Sequence, residues 1–346
     1  MFIARNATKT LKRNPRFTNL TTLRTFHTSL TNLNKMSEET KQQIKTAFPE
    51  LLNIAKQKTT LPGREKDMTP IAKHTELEVW TNEGEPEIYD YKGSNKLKGK
   101  AAILTGADSG IGRATALAFH REGAVVTISY LAEEEEDAQA VKKQIESEGG
   151  QCLCVPGDLM KDETCESVVK KHMEKYGHLE ILVNNASKQI KCKDIVDIDL
   201  DNVRSTFHSN IVQMIAMAKF CVPHMKAGAS IVNDASVTAF KGSPAMVDYS
   251  STKGAIVSFT RALAGQLAPK GIRVNAVAPG PIYTPLQPAS REAEEMEDWT
   301  VGGVPLRGRA GQPSEIAPSF VFLASNECSN IITGNIIHAN LGQYFA

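Results

Sequence analysis

Ala101–Tyr130 constrains this chain more than any other stretch; it reads AAILTGADSGIGRATALAFHREGAVVTISY. Ala101–Leu104 is an apolar run of strand length. A turn follows, Thr105–Gly112, with glycines at 106, 110 and 112. Ile111, Ala114, Thr115 and Ala118 then recur at helical spacing and give one face to lay on a sheet. Gly123 ends that helix, and Ala124–Tyr130 is a second strand rich in β-branched residues. Strand, glycine turn, helix, strand is the unit that binds a dinucleotide. Its glycines serve a tight reversal, a close approach of backbone to pyrophosphate, and tight packing of helix on strand. The helix N-terminus offers free N–H groups and positive partial charge to phosphates. A glycine turn can also do nothing but turn, so the flanking chain has to carry the assignment.

Downstream of Ala101 the pattern alternates. Strands are expected near Ala101–Leu104, Ala124–Ser129, Cys152–Val155, Ile181–Asn184, Ser230–Asp234, Arg273–Val277 and Asn335–Ala339. Helices are expected at Glu133–Glu148, Thr164–Tyr176, Val203–His224, Tyr249–Ala268 and Ser314–Ala324, besides the one after the glycine turn. This alternation predicts an α/β fold: one doubly wound, Rossmann-type parallel sheet of about seven strands covered on both faces. The expected organisation is a single domain over 97–346 with an N-terminal extension. Ser37–Asn95 is polar and punctuated by Pro49, Pro62, Pro70 and Pro86, so it cannot build its own core. It is expected as an arm (36–96) along the domain surface, anchored by Ile88, Tyr89 and Tyr91. Residues 1–35 carry Arg5, Lys9, Lys12, Arg13, Arg16 and Arg24, and no acid precedes Glu38. That composition suits a mitochondrial transit peptide and a matrix enzyme. The rival is a start at Met36 and a cytoplasmic protein.

The 346 residues carry a formal net charge of +1, which gives no reason to expect a nucleic-acid partner. No apolar run approaches the roughly 20 residues that span a bilayer, so no membrane partner is expected either. The six cysteines are scattered; Cys152-x-Cys154 has no second pair, so no metal site is expected and buried thiols are. The acidic run Glu133–Glu136 reads as a solvated helix start.

Ligands in such sheets sit outside the C-terminal strand ends. Asp158 and Leu159, Asn184 to Ala186, Ser236, and Pro279–Ile282 all fall there. Tyr249-Ser250-Ser251-Thr252-Lys253 opens a long helix, and its tyrosine and lysine, four apart, share a face. A free tyrosine is a poor acid–base catalyst at neutral pH. A lysine cation one turn away favours the phenolate and makes the pair a usable general acid/base. Ser236 could hydrogen-bond a carbonyl oxygen as charge develops.

TGADSGIG, Asp158-Leu159, NNAS at 184–187, Asn210, Ser236, YSSTK and PGPIYTP at 279–285 together resemble the short-chain dehydrogenase/reductase family over about 97–342. The resemblance implies that Tyr249 is the acid/base. Lys253 also binds the nicotinamide ribose, Ser236 orients the substrate, and Asn210 holds a water in the proton relay. It further implies a cofactor site of Gly106, Ser109, Gly110, Ile111, Gly112, Tyr130, Asp158, Leu159, Asn185, Ala186, Tyr249, Lys253, Pro279, Gly280, Ile282 and Thr284. Asp158 stands beside the adenine; Ile282 and Thr284 stand at the carboxamide. Two departures are Ser187, where the family has glycine, and Asn340-Leu341-Gly342 in place of Asn-Gly-Gly. SYLAEEEEDA, SVTAFKGSP and the arm look most like the general-stress-type aldehyde/alcohol oxidoreductases.

The expected activity is hydride transfer between a nicotinamide and the carbonyl or alcohol carbon of a small aldehyde, ketone or sugar-like substrate. The rivals are a non-catalytic sensor or scaffold on the same fold and a dehydratase or epimerase. Pro285–Val304 is expected to cover the substrate, with Leu286, Met296 and Trp299 as apolar walls. NAD binders place an acid about 20 positions beyond the glycine turn; that count lands on Tyr130, after Ser129, with no carboxylate. Ser109 and Leu131 hold the positions where the family puts a phosphate-binding cation, and Arg113 is expected to face solvent. The cofactor is therefore read as NADP, with NAD possible. A homotetramer is expected through helices Val203–His224 and Tyr249–Ala268, using Ile211, Ile215, Ala218, Ile256, Phe259 and Leu263.

Overall fold

The computed structural model describes residues 38–345. The expectation of a transit peptide falls outside these residues. Seven parallel strands form one sheet, in the order Cys152–Pro156, Val125–Tyr130, Ala101–Thr105, Ile181–Asn184, Ser230–Asp234, Arg273–Val277, Ile336–Ile337. The inner strands are apolar on both faces because both are covered; all five residues of Ala101–Thr105 are buried. Leu117, Phe119 and Phe320 pack one face, from helices Gly110–Arg121 and Pro313–Ala324. Val168, Met217 and Leu267 pack the other, from Asp162–Tyr176, Gln213–Cys221 and Val247–Leu267. From the central strand the chain first moves outward to Cys152–Pro156, then returns and builds the other half from Ile181–Asn184. That reversal splays the connections apart and opens a crevice beside the glycine turn.

The strands and helices lie where periodicity puts them, with two informative differences. The last strand shrinks to Ile336–Ile337. The expected Val203–His224 helix is interrupted: Leu200–Phe207 and Gln213–Cys221 flank a π-helical turn at His208–Val212. Asn210 sits in that turn, and its side-chain amide is spent on Lys188, accepting from the backbone N at 2.7 Å and donating to the O at 2.8 Å. Nδ2 also reaches Thr252 Oγ1 at 3.1 Å. Protein groups thus fix the orientation of this side chain, with one lone pair of Oδ1 left over. Its place in a π turn is a common feature of functional sites.

The arm differs most from expectation. It carries a two-stranded hairpin, Glu76–Trp80 with Pro86–Asp90. Ile88 and Tyr89 are 47% and 40% exposed, so they anchor nothing. They lie on the outer strand of the ribbon, which docks through Glu78. Tyr91 does anchor, donating to the Glu122 carboxylate. The true anchors are Phe48, Leu51, Ile54, Met68 and Ala72, which share a core with Tyr283, Met296 and Ala310. Met296 and Trp299 therefore face the arm and not the crevice, correcting their expected role as substrate walls. Beneath this core Arg309 is buried, donating to Thr46, Ala310 and Glu315 and paired with Glu78 at 3.0 Å.

Of the residues expected at a subunit interface, Ile211, Ala218 and Ile256 are consumed inside the protomer. Ile215 is 48% exposed, and Phe259 and Leu263 are half-buried.

Candidate active site

The crevice has a volume of about 650 Å³ and lies along the C-terminal strand ends. The glycine turn forms its floor. Gly106 and Gly110 have φ of +60° and +51°, the left-handed region that favours glycine. A Cβ on Gly112 would stand 2.1 Å from Gly106 O, so helix and strand pack too closely there for any side chain. Asn185 locks the turn, donating from Nδ2 to Thr105 O at 2.9 Å and Gly106 O at 2.7 Å. Thr105 Oγ1 accepts in return from Asn185 N and Ala186 N.

Fifteen of the sixteen residues expected for the cofactor line this one crevice; Gly112 lies behind the turn, and Asn210 stands behind the wall. Gly106, Ser109, Gly110 and Ile111 line the floor, with Thr284 packed against Gly110. Tyr130, Asp158 and Leu159 close one end, and Ala186, Pro279, Gly280 and Ile282 the other. A positive-φ turn at a helix N-terminus, with no room for side chains and an elongated crevice above, fits a dinucleotide.

At the second end stand Ser236, Tyr249 and Lys253. Lys253 is buried, its Nζ 5.4 Å from the Tyr249 ring centre and donating to Asp234 O at 2.8 Å. Ser236 Oγ accepts from Thr238 N at 3.1 Å and from Thr238 Oγ1 at 3.0 Å, which leaves its own O–H to donate. Thr252 joins the tyrosine helix to Asn210, donating to Tyr249 O at 2.7 Å. This arrangement can donate a hydrogen bond to a carbonyl oxygen and exchange a proton with it.

Sequence reasoning misses several residues of the crevice. Asp234 Oδ2 lies 4.0 Å from Lys253 Nζ; burial pushes this carboxyl up to about 6, against the pull of the lysine. An acid at the end of an apolar strand is a signal that could have found it. Gln213, Lys188 and the arm residues Leu61 and Pro62 also line the crevice. Nothing local to Leu61-Pro62 marks them.

The acidic run needs correcting too. Glu133 and Glu134 line the crevice beside Tyr130 and Leu131, and Glu134 is buried, accepting from Leu131 N at 3.1 Å. The chain makes a 3₁₀ turn at Ala132–Glu134 before the helix starts, which swings Glu134 inward. Asp108 is buried on the same rim. Burial raises both carboxyls above their ordinary range; Asp137 and Glu65 add to the rise at Asp108, and Asp108 adds to the rise at Glu134. Arg113, expected in solvent, is half-buried with a covered Nε.

A dinucleotide cradle with a serine, a tyrosine and a lysine at its far end is the equipment of a nicotinamide-dependent dehydrogenase or reductase. A family described as Enoyl-(Acyl carrier protein) reductase matches residues 106–343. NADPH-dependent aldehyde reductase 1, chloroplastic, of Arabidopsis thaliana is 46% identical over 258 residues, 73% of this chain and 89% of that protein. General stress protein 39 of Bacillus subtilis is 42% identical over 283 residues, covering 82% and 93%. The crystal structure of a short chain dehydrogenase from Burkholderia cenocepacia in complex with NADP superposes with a TM-score of 0.65 at 30% identity, covering 71% of this chain and 99% of that one. The chain belongs to the short-chain dehydrogenase/reductase family and is an NAD(P)-dependent oxidoreductase.

Proposed function

We propose that this enzyme reduces the carbonyl of a small aldehyde, ketone or sugar-like substrate, or oxidises the matching alcohol, with Tyr249 as the acid/base. The observation that carries this is the placing of Tyr249, Lys253 and Ser236 on one crevice with the glycine turn. The nicotinamide, when bound, supplies or accepts the hydride. Ser236 holds the substrate oxygen through its spare O–H. Tyr249 Oη gives up its proton to that oxygen, and the buried Lys253 ammonium stabilises the negative charge that remains on the phenol. Lys188, Gln213 and Ser187 make the rim polar, which suits a hydroxylated substrate. The name of the Arabidopsis relative supports an aldehyde substrate, and that of a 44% identical rice protein, glucose and ribitol dehydrogenase homolog, supports a sugar-like one. Purified protein assayed with short aldehydes, ketones and sugars and with both cofactors tests the reading; no hydride transfer with any of them would favour the scaffold alternative.

NADP is the cofactor we propose first, with NAD second. The neighbour with NADP bound supports it, and burial of the Asp108 and Glu134 carboxyls, two of the three acids on this rim, lessens the repulsion it would meet. Below their raised pKa values both are neutral and do not repel a 2′-phosphate; above them both are charged and do. Preference for NADP over NAD, measured as the ratio of dissociation constants, should therefore fall several-fold between about pH 7 and about pH 9. Glu134→Gln should flatten that slope. A ratio independent of pH in the native enzyme would remove these carboxyls from cofactor choice.

We read residues 1–35 as a leader, 36–96 as an arm and 97–346 as the catalytic domain, and place the enzyme in the mitochondrial matrix. The acid-free basic composition of the leader supports this. The rival is cytoplasmic synthesis from Met36, and mass spectrometry of the native N-terminus separates the two. A homotetramer is proposed through the Gln213–Cys221 and Val247–Leu267 helices, supported by the exposed Val212 and Ile215. A monomer by light scattering would reject it.

A further inference from the structure

The arm crosses the mouth of the crevice and touches both of its lips. On the substrate side, Thr59 N donates to Pro288 O at 3.1 Å, and Lys58 pairs with Glu292 at 2.6 Å. Gly63 has φ +93°, and a Cβ there would stand 2.7 Å from Pro285 O, so the two backbones are pressed together. On the cofactor side, Glu65 is buried. Its Oε1 accepts from Gly110 N at 2.7 Å, at the first residue of the helix that follows the glycine turn, and from His74 Nε2 at 2.8 Å. Glu65 N donates to Asp137 at 3.0 Å. Between these moorings Leu61 and Pro62 line the crevice itself.

We propose that Leu61–Glu65 is a wall of the dinucleotide site: Leu61 and Pro62 close over the bound cofactor, and Glu65, tied to Gly110 N, is the positioning residue that keeps them there. This rests on the NAD(P) reading above. Two physical points carry it. Glu65 spends its hydrogen bond on a free N–H of the helix whose N-terminus serves the phosphates, so the arm is fastened to the cofactor site and not merely beside it. The second mooring is on the 285–292 segment, whose Pro285, Leu286 and Gln287 line the crevice, so one segment spans both lips. A nicotinamide dinucleotide can then enter and leave only when this segment lifts, in the manner of a lid.

The test uses the full-length enzyme and NADPH and NADH as probes. Stopped-flow fluorescence should show release about tenfold faster from Glu65→Ala than from the native enzyme, the cost of losing a charge-assisted hydrogen bond. Gly63→Val, which cannot keep its φ or its contact with Pro285, should do the same. In the native enzyme, saturating cofactor should slow tryptic cleavage after Arg64 while leaving cleavage after the exposed Arg204 unchanged. Should a variant fail to fold, the proteolysis of the native enzyme decides alone. Unaltered release together with cleavage after Arg64 indifferent to cofactor would reduce the arm to packing and overturn the proposal. A native enzyme that binds neither dinucleotide would instead overturn the NAD(P) reading, and this proposal with it.

Discussion

Tyr249→Phe should lower kcat by about two or more orders of magnitude, because the substitution removes the proton donor and little else. The ring keeps its place in the first turns of the Val247–Leu267 helix, and its backbone O still accepts from Thr252. Lys253 still donates to Asp234 O. Cofactor affinity, read by fluorescence titration, should therefore stay near the native value while turnover collapses. Lys253→Ala should separate differently. It removes a cation from the crevice and strands the Asp234 carboxyl 4.0 Å away, so dissociation constant and rate should both suffer. A Tyr249→Phe enzyme with native turnover would end the acid/base assignment, and a Lys253→Ala enzyme with native cofactor affinity would end the lysine's second role.

Arg309→Met should destabilise the fold by about 3–5 kcal/mol, the range for breaking a buried ion pair from one side. The volume is nearly kept, but Glu315 loses its guanidinium partner, Thr46 loses a donor, and buried Glu78 keeps only Arg307 of its two cations. The loss should fall on the arm, because Glu78 and Thr46 belong to it and Glu315 belongs to the domain. The pH dependence gives a second handle. In the native protein burial opposes ionisation of Glu78, but its hydrogen bonds and Arg309 hold its pKa below the ordinary value. Glu78 thus contributes stability above the unfolded pKa, and that contribution is lost as pH falls through the folded value. Without Arg309, burial acts against the charged form with less opposition, so protonation relieves the variant. The gap between the two denaturation curves should narrow as pH falls through the carboxylate range. Glu78→Gln in the Arg309→Met background should recover part of the loss, as coupled neighbours do. Equal unfolding midpoints for native protein and Arg309→Met would show that the cluster contributes nothing.

Features of this protein that pattern reveals and those it hides differ in one respect, the distance in sequence over which each is decided. Each strand of the sheet is an apolar run whose length and flanks announce it. The Thr105–Gly112 turn is legible because positive φ at Gly106 and Gly110 and close packing at Gly112 favour glycine at those three positions. Tyr249 and Lys253 are legible as a pair because helical geometry brings residues four apart together whatever the rest of the chain does. Even the crevice follows, since alternating strands and helices place Asp158, Asn185, Ser236 and Pro279 on one rim by topology.

What only the tertiary structure decided lies between residues far apart in the chain. Tyr283 donates to Pro70 O across 213 positions, and Arg309 to Thr46 across 263. No periodicity announces such partners. The polar arm reads as unable to hold itself together because it contributes half a core, Phe48 to Ala72, whose other half is Tyr283, Met296 and Ala310. The same contact turns Met296 and Trp299 away from the crevice. Glu134 reads as solvated because composition cannot show that one 3₁₀ turn carries it inward, where burial changes its charge. Local sequence determined the sheet, the glycine turn and the serine, tyrosine and lysine of the rim, because their geometry follows from backbone rules acting over a few residues. Docking of the arm, and with it the shape of the crevice mouth and the ionisation of its rim, was decided by side chains that meet only after the chain has folded.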